Sequence, residues 1–137
     1  MDRLFIAAAF LAVAVGVALV LRRRRPDPPT QPRWTVPAQL DRQDFSRPEA
    51  AWLVAVFTSS TCGSCAELVD KAVALASEAV EVQEVEFVAC RELHERYGID
   101  AVPTVVIAND EGVVRGSFVG PVSAADLWAK VAEVRGG

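Results

Sequence analysis

Two thiols separated by two small residues, Thr61-Cys62-Gly63-Ser64-Cys65, follow closely on residues 51–58 (AWLVAVFT), a continuous apolar run of strand length. Such a run suits a central strand covered on both faces. If a helix opens at Cys62, the first thiol stands at its N-terminus, where unpaired backbone N–H groups and the helix dipole favour a thiolate. The second lies one turn on, on the same face, close enough to close a small disulfide ring. Gly63 and Ser64 permit a tight turn without covering the first sulfur. A C-x-x-C beside a βαβ pattern reads as a redox motif. It is also half of a zinc site, but no second C-x-x-C follows. The chain has three cysteines, so one stays unpaired whenever Cys62 and Cys65 bond, which is unlike a secreted disulfide framework.

The remaining elements follow from periodicity and punctuation. Residues 34–40 read as a short edge strand, where Pro37 is tolerated because an edge need not donate every N–H. Residues 41–45 read as a short helix capped by Asp41. A helix is expected over 62–77, with Leu68, Val69, Ala72, Val73 and Ala76 on a buried face. A second parallel strand is expected over 82–88, with Glu84 and Glu86 alternating against Val85 and Phe87. A short helix over 91–97 stops at Gly98. Strands over 104–108 and 113–119 are joined by the turn Asn109-Asp110-Glu111-Gly112. The last helix starts at Ser123, with Asp126 completing a capping box, and runs to about Val134. The order is β-α-β-α-β-α-β-β-α, an α/β pattern without an internal repeat.

The N-terminus is a separate matter. Residues 4–21 (LFIAAAFLAVAVGVALVL) carry no charge over eighteen positions. At 1.5 Å per residue they span roughly 27 Å, enough for a bilayer core of about 30 Å once flanking side chains reach outward. A cleaved secretory signal would offer small residues next, whereas Arg22, Arg23, Arg24 and Arg25 follow directly. Residues 1–21 are therefore read as a transmembrane anchor meeting the lipid bilayer through 4–21. The arginines place the C-terminal side in the cytoplasm. The extracytoplasmic face is the alternative, because tethered redox domains often work there. Residues 22–37, with five prolines, form a semi-rigid linker; Trp34 is either an interfacial anchor or the start of the first strand. Residues 1–37 carry six arginines against two aspartates, net +4, and the rest carry eight cations against sixteen carboxylates, net −8. A body that acidic repels phosphates, which argues against nucleic acid as a partner.

With these elements in order, the chain resembles the thioredoxin family over residues 34–135. The likeness rests on the strand leading into CGSC, on Tyr97-Gly98-Ile99-Asp100-Ala101-Val102-Pro103-Thr104, and on Val119-Gly120 before the last helix. The resemblance implies a thioredoxin fold, a mixed central sheet flanked by helices, over residues 38–137. It implies that Pro103 is a cis-proline packed against the redox pair and that Val102 presents its backbone to an extended substrate. It also implies that Cys62 attacks a substrate disulfide and that the more buried Cys65 resolves the mixed disulfide. Partners would be protein disulfide or dithiol substrates and a redox protein that recycles the pair, with no cofactor and no metal. The alternative is a module that docks a partner at the cis-proline groove and senses redox state without efficient turnover.

The sequence departs from the family at informative positions. Thr61 replaces a tryptophan, Ser64 a proline, and Val56 a buried aspartate thought to deprotonate the second thiol. Counting back from Pro103 puts Glu84 where the family often has a lysine on the neighbouring strand. Glu84 could replace the missing aspartate as proton acceptor for Cys65, or be a solvated strand residue. Cys90 and His94 stand one helical turn apart. They are read as a small buried thiol beside a histidine, with an oxidisable thiol as the alternative.

Overall fold

The computed structural model describes residues 1–23 and 35–137, in two separate units. The first is helix α1 (Asp2–Arg23), long and apolar enough by length and composition to cross a membrane. Trp34 and most of the expected linker lie outside the described residues.

The second unit is built on strand β1 (Trp52–Thr58), from which the other elements are laid out: α2 (Cys65–Val73), β2 (Val80–Glu86), α3 (Arg91–Arg96), β3 (Thr104–Asn109), β4 (Val114–Val119) and α4 (Ala124–Gly136). The sheet order is β2-β1-β3-β4, with β1 and β2 parallel and both β1–β3 and β3–β4 antiparallel. Leu53 to Phe57 are wholly buried, as a strand covered on both faces requires. On one face Val54, Val56, Val80, Val105 and Ile107 pack against Leu68 and Ala72 of α2 and Leu127 and Val131 of α4. On the other, Leu53, Ala55, Phe57 and Val106 pack against Leu40 and Phe45 from the segment before β1, with Leu93 and Tyr97 alongside.

Several expected boundaries move. The expected edge strand over 34–40 is absent among the described residues, where only an isolated Gln39–Val113 bridge remains. That segment is instead tied across the β3–β4 turn by Leu40 N–H donating to Gly112 O at 2.8 Å and Val114 N–H donating to Ala38 O at 3.0 Å. The next residues form a 3-10 turn, Arg42–Asp44, with Asp41 capping it by accepting from Gln43 N–H at 2.9 Å. Helix α2 starts at Cys65, not Cys62, because the preceding residues are held in tight turns. Cys62 N–H donates to Ser59 O and Cys65 N–H to Cys62 O. It also ends early, at Val73. Leu75 and Ala76 donate back three residues, turning the chain so that β2 starts at Val80 opposite Trp52. Gly98 leaves α3 with φ +63°, and Gly112 closes the β3–β4 turn with φ +79°. Ser123 caps α4 by accepting from Asp126 N–H, as its spacing implied.

Candidate redox site

The C-terminal end of β1 delivers the redox loop. Thr58 is the last residue of the strand, Ser59 to Ser64 form the loop, and Cys65 opens α2. Cys62 and Cys65 are joined in a disulfide, their Cα atoms 5.5 Å apart, within the usual range. The two sulfurs differ in access. Cys62 is half-buried on the loop, whereas Cys65 is only 3% exposed beneath the first turn of the helix. Ser64, the N-cap of α2, makes no backbone cap with its side chain; its Oγ lies 3.8 Å from Cys62 Sγ.

The second wall comes from the loop before β3. The Val102–Pro103 peptide is cis, Pro103 is buried, and its carbonyl accepts from Gly120 N–H at 2.8 Å. Thr104 Oγ1 donates to Ala101 O at 2.8 Å, which pins the preceding turn. Because Thr104 stands opposite Phe57 in the antiparallel register, the cis bond falls beside the end of β1 where the redox loop departs. Between loop and cis bond lies a cavity of about 190 Å³ lined by Ser59, Phe87, His94, Ile99 and Val102. His94 is buried, its Nε2 2.7 Å from Val85 O and its ring edge-on to Phe57 and Phe87. With that carbonyl as acceptor, Nε2 carries the proton. Cys90 is a half-buried free thiol at the N-cap of α3. Among the described residues no group of three or more His, Cys, Asp or Glu side chains is placed to hold a metal.

Glu84 pairs in register with Val56, on the sheet face that carries α2. It is exposed, because β2 is an edge strand, and its Oε1 accepts from Thr58 Oγ1 at 2.8 Å. Thr58 itself is 1% exposed. Glu86, opposite Thr58, turns its carboxylate into the loop after β2, where Oε2 accepts from Val88 N–H at 2.9 Å and Ala89 N–H at 2.8 Å. Those backbone donors, helped by the Ser60 N–H, hold the Glu86 carboxyl below the usual carboxylate range.

The structure thus brings Cys62 and Cys65 together, sets Val102 and Pro103 at the edge of their loop, and places Glu84 on the face that α2 covers. Sequence reasoning missed Thr58, Ser64 and Glu86 as polar parts of the site. Thr58 showed itself only as a polar end to an apolar run. Ser64 was read as a spacer, and Glu86 as an ordinary alternating strand residue.

A half-exposed sulfur bonded to a buried one at a strand–helix junction, beside a cis-proline loop, defines a dithiol–disulfide redox domain. The thioredoxin family model matches residues 38–133. A probable thioredoxin from Methanothermobacter thermautotrophicus is 36% identical over 81 residues, spanning 57% of this chain and 89% of that protein. Among solved structures, the germline-specific thioredoxin Deadhead from Drosophila melanogaster superposes with a TM-score of 0.55 at 26% identity, over 63% of this chain and 83% of its own. A mutant thioredoxin from Halobacterium salinarum matches in fold with a TM-score of 0.55 at 24% identity, over 64% and 77% of the two chains. The chain belongs to the thioredoxin family, and its C-terminal unit is a thioredoxin-like redox domain.

Proposed function

We propose that the chain is a membrane-tethered thiol–disulfide oxidoreductase acting on protein disulfides. The observation that carries this is the unequal access of the two sulfurs, one half-buried and one nearly sealed. In the reducing direction the Cys62 thiolate attacks a substrate disulfide, one substrate sulfur leaves as thiolate, and a mixed disulfide forms. Cys65 then loses its proton and attacks Cys62 Sγ, expelling the second substrate thiolate. The pair ends as the disulfide, and the substrate has gained two electrons; its two thiolates are protonated by the Cys65 proton and by one from solvent, equal to the proton Cys62 shed on becoming a thiolate. Glu84, fixed by the Thr58 hydroxyl on the face under α2, is the acceptor for the Cys65 proton. Val102, beside the cis-proline, presents backbone groups to an extended substrate segment, and the nearby cavity accepts a neighbouring side chain. A redox partner protein returns the pair to the dithiol.

Residues 4–21 anchor the chain in the lipid bilayer, and Arg22 to Arg25 hold the domain on the cytoplasmic side. The deciding experiment is turnover of a protein disulfide by the wild-type chain, set beside a Cys65→Ala variant. The proposal expects catalytic reduction by the wild type. It expects Cys65→Ala to accumulate a mixed disulfide through Cys62 that added dithiol releases. Trapping by the variant with no turnover by the wild type would leave a docking or sensing module in its place.

A further inference from the structure

We infer that the Glu86 carboxylate is a fixed negative charge at the base of the redox loop that biases the Cys62–Cys65 pair towards the disulfide, making the dithiol a stronger reductant. This rests on the oxidoreductase reading above and adds to it the direction in which the pair is poised.

The geometry starts from register. Glu86 stands directly opposite Thr58, four residues before Cys62, and Phe87 N–H donates to Thr58 O at 2.9 Å. Neighbouring strands lie about 5 Å apart, so Glu86 stands at the root of the loop that carries the half-buried Cys62. One oxygen has a plain structural use: Oε2 closes the turn after β2 through Val88 and Ala89. A neutral amide oxygen could make the same two bonds. The other oxygen is different. Oε1 is out of reach of solvent and, among the described residues, has no hydrogen-bond partner meeting ordinary geometry. Leaving a buried acceptor unpaired costs free energy, and more so when it is charged. The Ser60 N–H, two residues before Cys62, also draws the carboxyl towards its ionised form. The two backbone donors to Oε2 favour the ionised form, so a negative charge sits at the base of the redox loop where a neutral group would serve the turn equally well.

The sign follows from electrostatics. A nearby anion disfavours a thiolate. Reduction of the disulfide creates thiolate character at Cys62, whereas the disulfide is neutral. The anion thus raises the free energy of the reduced state only, opposite to the stabilised dithiol of a strong oxidant. Other titratable or charged side chains face the same region: Glu84 on the α2 face, His94 and Arg91 of α3, and Asp100 at the cavity. Of these carboxylates, Glu86 is the one that accepts from backbone N–H groups, which favours its ionised form.

The test is equilibration of the full-length chain in detergent with defined ratios of reduced and oxidised glutathione, reading the dithiol fraction by alkylation. Glu86→Gln keeps the size and the turn acceptor and removes the charge. The dithiol should be favoured about 3- to 10-fold more than in the wild type, and half-maximal alkylation of Cys62 should move to lower pH. An unchanged equilibrium in Glu86→Gln overturns the inference. Should that variant fail to fold, Glu86→Asp and Glu86→Asn, equal in size and unequal in charge, give the same comparison. The Asp variant should stay near the wild type, and equal shifts in both would overturn the idea by assigning the effect to the turn. A wild-type chain that forms no reversible disulfide would remove the oxidoreductase reading itself, and this inference with it.

Discussion

The loop that carries the cis-proline is anchored at some distance from the sulfurs, and the anchor titrates. Asp44, at the end of the 3-10 turn, accepts from Arg96 Nη1 through Oδ1 and from the Tyr97 hydroxyl through Oδ2; Tyr97 OH in turn accepts from Asp41 N–H at 3.0 Å. These contacts clamp the end of α3, from which Gly98 to Val102 run to Pro103. Replacing Asp44 by Asn keeps the shape and removes the charge. The Arg96 side chain is 52% exposed, so solvent screens its ion pair and little of the stability rests on it. The Tyr97 bond to a charged acceptor is worth about 1.5–3 kcal/mol, of which a neutral amide would keep roughly half. The expected loss is therefore about 1–2 kcal/mol at pH 7, a large share of the roughly 5–15 kcal/mol that holds a domain of this size. With a slope of about 1–1.5 kcal/mol/M, the urea midpoint of the fragment 34–137, a separate compact unit, should fall by roughly 1 M. The hydrogen bonds from Arg96 and Tyr97 hold the Asp44 carboxyl below its ordinary 3.8. Its contribution is thus fully present above pH 3.8 and is lost as pH falls through the lower folded value. Burial and the bond to Asp44 raise Tyr97 above its ordinary 10.0, so its contribution is present below pH 10.0 and is lost as pH rises through the folded value. The gap between wild type and Asp44→Asn should therefore close at acid pH and narrow again at strongly alkaline pH. A gap constant from pH 7 down to pH 2 would refute the charge-based account.

Two further outcomes test the fold and the site. A Cβ on Gly112, at φ +79°, would meet Leu40 O at 1.9 Å, so Gly112→Ala should destabilise the domain by about 2–4 kcal/mol; wild-type thermal unfolding would refute the close approach of the N-terminal segment to the β3–β4 turn. Glu84→Gln should slow release of substrate from the Cys62 mixed disulfide by about 10-fold or more at neutral pH. Thr58→Val should produce part of that effect and Thr58→Ser little of it, and unchanged single-turnover release in Glu84→Gln would end the proton-acceptor role.

The fold was legible because its punctuation is local. The apolar run through Phe57, the glycines at 98 and 112 and the Ser123–Asp126 cap each fix a chain direction within a few residues, and the strand order then has few solutions. The redox pair was legible for the same reason, since its spacing is its chemistry. What failed depends on partners distant in sequence. Residues 34–40 alternate well enough for a strand, yet Gln39 and Leu40 are fastened by Glu111 and Gly112, some seventy positions away, in a geometry that leaves one bridge and no ladder. Helix α2 is expected too far, over 74–77, because those residues are good helix formers, whereas the register of Val80 against Trp52 demands a turn there. Glu86 carried no local signal at all; its role depends on Thr58 lying opposite it, which only the β1–β2 pairing supplies.

That pairing also bears on the family's missing aspartate. Val56, where the family buries a carboxylate, is paired with Glu84, so a carboxylate remains on the same sheet face, moved one strand outward. The move changes its energetics. On central β1 a carboxylate would be sealed from water and its charged form penalised. On edge strand β2 Glu84 is exposed and can stay hydrated, while the Oγ1 of buried Thr58 holds it in place. Val56 can then join the apolar packing under α2. An account based on Val56 alone, which sees a lost acid, therefore predicts a slow enzyme. One based on the strand pair predicts a competent enzyme whose resolving step depends on Glu84, and substitution of Glu84 and Thr58 decides between them.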